Sequence, residues 1–313
     1  MITAVCLNPC IDRTVSVREF NYGGLNRVVA SRSDAGGKGV NVAITAARLG
    51  LDTSCIDFLP YHNSAVLEEK LTNEGVHFEA VSLDGTLRTN LKILDESKNI
   101  ITEVNESGAP VAQDELDQMT RLVLRLASVS DYLILSGSLP PACPADYYGR
   151  LIREVSALSC RCILDADGAC LAEGLKARPY LVKPNLPELE GLTGRTLSSL
   201  RDVDLAARQL VDSGVGIVAV SMGSEGAFIT DGTVSQRAPS VDVAVRSTVG
   251  AGDAMIAGLT AGLCRSRPLD EIFRMGMASA TASIMSEGTQ LVNKNVYLSL
   301  LDRVQIERVC LSE

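Results

Sequence analysis

Histidine is scarce in this sequence, and so are long apolar runs and surplus positive charge. With two histidines, His62 and His77, and nine scattered cysteines, the chain shows neither the spacing of a metal site nor a disulfide framework. The closest cysteines are Cys160 and Cys162, so we expect reduced, mostly buried thiols. No segment approaches the roughly 18 apolar residues of a membrane span, and the first residues lack the features of a secretion signal. These absences predict a cytoplasmic protein with no membrane contact.

The charge balance excludes a second class of partner. The net charge is −9, from 38 acidic and 29 basic side chains. An acidic chain repels nucleic-acid backbones, so we expect no nucleic-acid partner. Small anionic substrates remain compatible, because local lysines, arginines and backbone amides can bind them. At 313 residues, one large domain with a small appendage is more probable than a single compact unit.

Apolar runs of strand length alternate with helical patterns along most of the chain. Uninterrupted apolar strands indicate burial on both faces of a sheet, and their alternation with helices predicts an α/β fold with parallel strands. Ligands of such sheets bind beyond the carboxyl ends of the strands, where the polar motifs of this chain occur. The predicted strands are 4–7, 132–135, 162–164, 180–182 and 216–220, and the predicted helices are 40–49, 116–127, 147–157, 203–211, 253–264 and 272–285.

Two stretches interrupt this alternation. Residues 13–29 mix a short alternating segment with glycines, and residues 87–105 read as two alternating strands around a polar turn. We interpret them as a small separate sheet, with ordinary surface hairpins as the alternative. A sheet of so few strands is marginally stable alone, so pairing with a second copy would stabilise it.

The most informative segment is Ser247-Thr248-Val249-Gly250-Ala251-Gly252-Asp253, where a loop becomes an apolar and therefore buried helix. The free amides of a helix start attract anions, and glycines allow a phosphate to approach the backbone. A carboxylate beside such a pocket repels bound phosphate, but Asp253 is well placed to take a proton from an attacking hydroxyl. The alternative is that Asp253 only caps the helix.

Two further motifs favour ligand binding. Ala35-Gly36-Gly37-Lys38-Gly39-Val40-Asn41 offers close backbone approach, a positive charge and an amide suited to a sugar hydroxyl, although a structural turn explains it equally well. It is not a Walker A loop, because Gly39 rather than Ser or Thr follows Lys38. Asn185 and Glu188, three residues apart at a helix start, fit either a hydrated magnesium ion or a capping box.

Together these motifs resemble the ribokinase-like, phosphofructokinase B family of sugar kinases over nearly the whole chain. The resemblance implies a three-layer αβα fold with a mostly parallel central sheet and a small β-sheet lid. It implies that residues 1–12, 33–86 and 107–313 form the nucleotide-binding domain, and that residues 13–32 and 87–106 form a lid over the sugar site. In many members two lids pair, which implies a homodimer.

The resemblance also implies roles for individual residues. Asp253 is expected to be the catalytic base, with the amides of Gly250, Ala251 and Gly252 as an anion hole. The residues implied for the sugar phosphate are Asp12, Gly36, Gly37, Lys38, Asn41, Arg88, Asn90 and Ser138, together with Arg27. The residues implied for ATP are Lys183, Asn185, Ser221, Gly223 and Gly226, and those implied for Mg²⁺ are Asn185 and Glu188.

The substrate is expected to be a ketohexose monophosphate. Members that use ketose phosphates carry Thr-Arg-x-Asn-x-Lys, and Leu87-Arg88-Thr89-Asn90-Leu91-Lys92 keeps all but the threonine. Arg88 and Asn90 fall on one face of a strand, where an arginine fork can clamp phosphate; simple exposed charge is the alternative.

Fructose 1-phosphate is the best match, followed by tagatose 6-phosphate and then fructose 6-phosphate. A catalytically silent sugar-phosphate sensor is the alternative from another class. One departure concerns the loop expected after the second strand, residues 57–63, which carries proline and bulky residues where the family has glycines. This substitution affects the expected shape of the sugar pocket more than the expected chemistry.

Overall fold

The computed structural model describes residues 1–286 and 291–309. Its strands in chain order are β1 (Ile2–Cys6), β2 (Cys10–Val17), β3 (Val28–Gly36), β4 (Thr53–His62), β5 (His77–Thr86), β6 (Arg88–Asp95), β7 (Ile100–Asn105), β8 (Tyr132–Ser136), β9 (Arg161–Asp165), β10 (Leu181–Val182), β11 (Ile217–Ser221), β12 (Ala227–Thr230), β13 (Ser235–Ala238) and β14 (Glu307–Arg308). Its helices are α1 (Lys38–Arg48), α2 (Ala65–Asn73), α3 (Gln113–Ala127), α4 (Tyr147–Val155), α5 (Gly168–Leu175), α6 (Leu186–Thr193), α7 (Leu200–Asp212), α8 (Ala251–Cys264), α9 (Leu269–Ile284) and α10 (Lys294–Leu301).

Ten strands form the larger sheet, in the order β14-β13-β12-β11-β10-β9-β8-β1-β4-β5. Strands β11, β10, β9, β8, β1, β4 and β5 run parallel to one another, and β12 to β14 continue antiparallel at one edge. Crossover helices connect the parallel strands, as the predicted alternation requires. The expectation of a mostly parallel sheet is confirmed.

The core lies on both faces of this sheet. Side chains of a strand alternate between faces, and Ala4 and Val5 of β1 accordingly belong to two different apolar clusters. Helices α1, α2, α8, α9 and α10 contribute to the cluster on one face, and α3 to α7 contribute to the cluster on the other. The three-layer αβα arrangement expected from the sequence is therefore confirmed.

Helix α8 is buried along nearly its whole length, as its apolar sequence predicts. It packs closely against α9. A side chain at Gly258 would place its first carbon 2.4 Å from the carbonyl oxygen of Met275, so only glycine permits this approach. The start of α8, which carries Asp253, is fixed by this packing.

The second sheet has four strands in the order β3-β2-β6-β7. It confirms the small separate sheet, which we call the lid. Strand β2 begins at Cys10 and β3 continues to Gly36, so the lid strands extend beyond the predicted limits at residues 13 and 32. The division into nucleotide-binding domain and lid remains a prediction.

The loop expected at residues 57–63 is largely strand, and this expectation was wrong. Strand β4 continues to His62 and pairs with β5, with Pro60 opposite Leu83. Aromatic and apolar side chains favour this extension, since Phe58 is fully buried in the core.

Candidate active site

A cavity of about 1250 Å³ lies between the carboxyl ends of the parallel strands and the lid. Loops that follow β1, β8, β9, β10 and β11 contribute to its walls, which is the position expected for ligands of an open α/β sheet. Most of the residues predicted for the site line it: Asp12, Gly37, Lys38, Asn41, Arg88, Asn90, Ser138, Lys183, Asn185, Glu188, Ser221, Gly223, Gly226, Gly250, Ala251, Gly252 and Asp253.

Asp253 lies in the first turn of α8 at the floor of this cavity. Its Oδ2 accepts a hydrogen bond from Nδ2 of Asn41 at 2.9 Å. Burial and then the nearby carboxylate of Asp165 raise the pKa of Asp253 to about 7, although Asn41, Lys38 and Lys183 act in the opposite direction. A carboxylate with this pKa can accept and release a proton near neutral pH, which is the property of a general base.

The backbone before Asp253 is arranged for an anion. Gly250 caps α8 in the left-handed conformation, with φ 80°, and no side chain caps the helix. Ala251 donates weakly to the carbonyl of Thr248, at 3.4 Å. The amides of Gly250 and Gly252 donate no hydrogen bond to any acceptor within residues 1–286 and 291–309. Two open amides at a helix start, beside a buried carboxylate, can accept an anionic group such as a phosphoryl group.

A buried ion pair lies next to these amides. Nζ of Lys183 is 3.2 Å from Oδ1 of Asp165, and Ser136 donates to Oδ2 of Asp165 at 3.2 Å. A side chain at Gly252 would bring its first carbon to 3.2 Å from the same Nζ, so the ammonium lies directly beside the anion site. Burial acts to raise the pKa of Asp165, but Lys183 and Lys38 outweigh it and hold that pKa below its usual range.

Asp165 was not predicted from the sequence, and neither was Asp167, which also lines the cavity. A signal was available. Both residues follow the predicted strand 162–164, at the sheet edge where the other polar motifs occur.

Lys38 begins α1 and lies among acidic groups. The carboxylate of Asp165, followed by that of Asp253, raises the pKa of Lys38 despite its burial. The ammonium is therefore charged, and it lines the same cavity as Asp253. Gly37 precedes it with φ 128°, and a side chain there would reach within 2.7 Å of Sγ of Cys6.

Gly36 does not line the cavity itself. A side chain on Gly36 would meet Oδ1 of Asn41 at 3.3 Å and Oδ2 of Asp12 at 3.5 Å. Glycine at this position thus allows two polar groups of the sugar side to lie close together.

The inner face of the lid carries a polar group around Asp12. Residues Asp12 and Asn90 are neighbours in the β2–β6 register, and Nδ2 of Asn90 donates to Oδ1 of Asp12 at 3.3 Å and to Sγ of Cys10 at 3.2 Å. The ammonium of Lys92 is 3.6 Å from the same oxygen of Asp12. A carboxylate held in this way can accept hydrogen bonds from the hydroxyl groups of a ligand.

Arg88 begins β6 and is engaged mainly with the protein itself. Its Nε and Nη2 donate to the carbonyl of Asn8 at 3.1 and 2.9 Å, and Nε also approaches the carbonyl of Pro9 at 3.3 Å. Its Nη1 donates to the carbonyl of Glu106 at 3.1 Å and to Oδ1 of Asn90 at 3.2 Å. Phosphate binding by Arg88 remains a prediction.

Ser138 also has a protein partner, because Nδ2 of Asn8 donates to its Oγ at 3.3 Å. Asn8 likewise donates to the carbonyl of Ser107 at 3.1 Å and was not predicted as a site residue. Leu87, which replaces the threonine of the family motif, is fully buried in the core and does not line the cavity.

On the opposite side of the cavity, Asn185 and Glu188 form a capping box on α6. Oδ1 of Asn185 accepts from the amide of Glu188, and Oε2 of Glu188 accepts from the amide of Asn185, both at 2.8 Å. The cap is therefore present. Both side chains also line the cavity, and Oε1 of Glu188 accepts no hydrogen bond from a described residue.

A tight turn after β11 closes this side. The bridge between Asn185 and Ser221 joins it to α6. Gly226 has φ 92°, and a side chain there would collide with the carbonyl of Ala238 at 2.0 Å. Next to this turn, apolar residues that the sequence reasoning missed line the end of the cavity: Val241, Val243, Val245, Met277 and Ile284. The three valines lie in the stretch after β13, whereas Met277 and Ile284 belong to α9, and no motif marks these five residues in advance.

Besides Gly36, two predictions for the sugar side are not brought into the cavity. Arg27 is exposed on the lid and is not part of the cavity lining. Residues 57–63 do not line this cavity either, so their bulk does not shape it.

A buried carboxylate with a raised pKa lies beside open amides, between a polar part and an apolar part of one cavity, and this arrangement suits the transfer of a phosphoryl group to a small molecule. The family model of pfkB carbohydrate kinases matches residues 3–295. The chain therefore belongs to the pfkB family of carbohydrate kinases, and it is a sugar phosphotransferase.

Individual relatives agree with this family. The 1-phosphofructokinase of Rhodobacter capsulatus is 38% identical over 93% of this chain and 92% of its own length. That of Xanthomonas campestris is 36% identical over 83% of each. The crystal structure of phosphofructokinase-2 from Escherichia coli with substrates and products superposes with a TM-score of 0.91, at 31% identity, covering 97% of this chain and 98% of that one. No helix in the described part of the chain is long and apolar enough to cross a membrane.

Proposed function

We propose that this protein transfers the γ-phosphate of ATP to a ketohexose monophosphate, with fructose 1-phosphate as the preferred acceptor and fructose 1,6-bisphosphate as the product. The observation that carries the proposal is Asp253, a buried carboxylate with a pKa of about 7 at the junction of the two halves of one cavity. The names of the relatives from Rhodobacter capsulatus and Xanthomonas campestris support the choice of acceptor.

In the proposed reaction, the sugar lies between the lid and α1, with hydroxyls on Asp12, Asn41 and Asn90. Asp253 takes the proton of the primary hydroxyl as the oxygen attacks the γ-phosphorus, and the bond to the ADP oxygen breaks. The amides of Gly250 and Gly252 then stabilise the charge on the transferring group, together with the adjacent ammonium groups of Lys38 and Lys183.

The nucleotide is proposed to occupy the opposite half. Its base would pack against the apolar end of the cavity, and its phosphates would approach Lys183, Asn185 and the turn of Ser221, Gly223 and Gly226. The oxygen donors there suit Mg²⁺, since Glu188 keeps one free carboxylate oxygen and Asn185 lies beside it. A bound magnesium ion would neutralise phosphate charge.

Three other assignments compete with this one. Tagatose 6-phosphate presents a similar ketohexose with phosphate at one end, and fructose 6-phosphate is the ligand of another crystal structure of phosphofructokinase-2 from Escherichia coli, which is 30% identical to this chain. A silent sensor would need the sugar pocket but not the base. The retention of Asp253, Asn185 and Glu188 in one cavity argues against a sensor.

We also propose a homodimer formed by two lids. Several large apolar side chains of the lid are exposed, among them Tyr22 (95%), Leu25 (77%), Ile100 and Val104. Strand β7 is exposed along its whole length at the edge of the lid sheet. Burial of this surface against a second copy would stabilise a four-stranded sheet. Sedimentation should give a dimer for the parent and a monomer for Ile100→Glu; a monomeric parent would contradict the proposal.

The test of the proposed function is a substrate panel. ADP formation is measured with fructose 1-phosphate, tagatose 6-phosphate, fructose 6-phosphate and free fructose, with and without magnesium. We expect the highest kcat/KM with fructose 1-phosphate and none of these activities without magnesium. Absence of ADP with all three sugar phosphates would overturn the proposal.

A further inference from the structure

The lid contains two cations that face the cavity, and their surroundings differ. All three nitrogens of the Arg88 guanidinium donate to acceptors of the protein, three of which are backbone carbonyls. A guanidinium has five N–H groups, so little donor capacity is left for a ligand. Phosphate binding by Arg88 would require breaking bonds that hold β6 to the loop after β1.

Lys92 is buried but much less engaged. Its side chain is 9% exposed, and its nearest charged partner is Oδ1 of Asp12 at 3.6 Å, beyond hydrogen-bond distance. Within the described residues, its ammonium forms no hydrogen bond. This ammonium is open to the cavity rather than sealed in the core. Its three N–H groups are thus available to a ligand in the cavity, which Lys92 lines.

The position of Lys92 suits a phosphorylated sugar. Arg88, Asn90 and Lys92 alternate along β6 and fall on the same face, and Lys92 pairs with Thr14 and Glu103 on the neighbouring strands. Asp12, proposed above as an acceptor for sugar hydroxyls, lies beside the ammonium. One ligand can therefore place a hydroxyl on Asp12 and an anionic group on Lys92.

We propose that Lys92, rather than Arg88, supplies the positive charge that binds the phosphate of the substrate and so determines the preference for phosphorylated over free ketohexoses. This inference rests on the proposed function and deepens it. Arg88 is then a positioning residue, which holds the Asn8–Pro9 loop and orients Asn90.

The experiment compares parent, Lys92→Met, Lys92→Arg and Arg88→Met proteins. For each, kcat/KM is measured with fructose 1-phosphate and with free fructose, and fructose 1-phosphate binding is measured by calorimetry without nucleotide. Because a charge-assisted contact to phosphate is lost, Lys92→Met should lower affinity and kcat/KM for fructose 1-phosphate by about 10- to 100-fold. Its kcat/KM for free fructose should fall by a clearly smaller factor, so that the ratio of the two efficiencies decreases, and its KM for ATP should change by less than about threefold.

The other two variants separate charge from structure. Lys92→Arg keeps the charge and should recover most of the lost binding, whereas Arg88→Met should lower the efficiencies for both sugars by similar factors. If Lys92→Met lowers kcat/KM for both sugars by the same factor, the ratio of the two efficiencies is unchanged. That result would mean that Lys92 only holds Asp12, and it would overturn the inference. If the parent protein binds none of the sugar phosphates, the proposed function is wrong as well. The measurements on the parent protein alone distinguish this outcome from failure of the inference about Lys92.

Discussion

Asp253 at the cavity floor and Asp57 in the core beside β1 are both buried carboxylates, but their surroundings differ. Burial raises the pKa of Asp253 to about 7 and the pKa of Asp57 well above its ordinary value. Asp253 lines the cavity and accepts a hydrogen bond from Asn41. Asp57 is fully buried; Cys55 donates to its Oδ1 at 3.5 Å, and its Oδ2 has no partner among the described residues.

The difference shows that a raised pKa does not identify a base by itself. A base must also meet the hydroxyl that it deprotonates, and only Asp253 lies where a ligand can reach it. Asp57 lies in the core instead, where burial holds its pKa well above its ordinary value.

The largest expected effect separates the two carboxylates directly. Asp253→Asn keeps the shape but removes the base, so turnover should fall by at least about 100-fold, with ATP binding little changed. The matched variant Asp57→Asn should keep turnover within about threefold. Both are checked by steady-state kinetics and nucleotide titration. Near-normal turnover in Asp253→Asn, or an equal loss in both variants, would refute the assigned roles.

A third carboxylate extends the comparison to the nucleotide half of the cavity. Glu188→Gln removes the charge of a residue that also caps α6, and we expect the magnesium concentration for half-maximal activity to rise several-fold. The control is the capping box on α7, where Asp202→Asn should leave this requirement unchanged. If the magnesium titration of Glu188→Gln overlays that of the parent, Glu188 is only a cap.

The smallest effect concerns stability. The pKa of Asp253 is higher in the folded protein than in the unfolded chain. Between about pH 4 and 7, the folded protein therefore keeps a proton on Asp253 that the unfolded chain has released. This difference lowers stability progressively across that window and is constant above it. The difference in Tm between Asp253→Asn and the parent should therefore increase by roughly a few degrees as the pH is raised from 4 to 7.

The same measurement applies to Asp57. Because burial raises the pKa of Asp57 well above its ordinary value, the stability of Asp57→Asn relative to the parent should also increase as the pH rises from about 4. A Tm difference that is independent of pH in both variants would show that neither carboxyl carries a raised pKa.

Much of this arrangement is predictable from the sequence. Apolar runs and helical periods identify the parallel sheet, the buried α8 and the strands of the lid, because these patterns reflect local burial. The position of Asp253 follows from the Gly250-Ala251-Gly252 turn before it. Polar residues at strand ends meet at one edge of a parallel sheet, so the cavity follows from the fold class.

Other features depend on contacts between distant segments. The bonds of Arg88 to the carbonyls of Asn8 and Glu106 arise from the register of β6 and cannot be inferred from residue type. Arg27 has a suitable charge but lies on an exposed stretch outside the cavity. From the sequence, Asn185 and Glu188 could form a capping box or bind magnesium. The structure contains the capping box, and this cap is compatible with magnesium binding by the same residues.

The pH dependence of kcat tests the central claim most directly, namely that Asp253 is a base that titrates near neutral pH. Since only the ionised carboxylate accepts a proton, kcat with saturating fructose 1-phosphate and ATP should fall about tenfold per pH unit below a midpoint near 7. Asp253→Asn should lose this dependence along with most of its activity, while Asp57→Asn should keep it. A midpoint below about pH 5, or the same midpoint in Asp253→Asn, would contradict the assignment of Asp253 as the base.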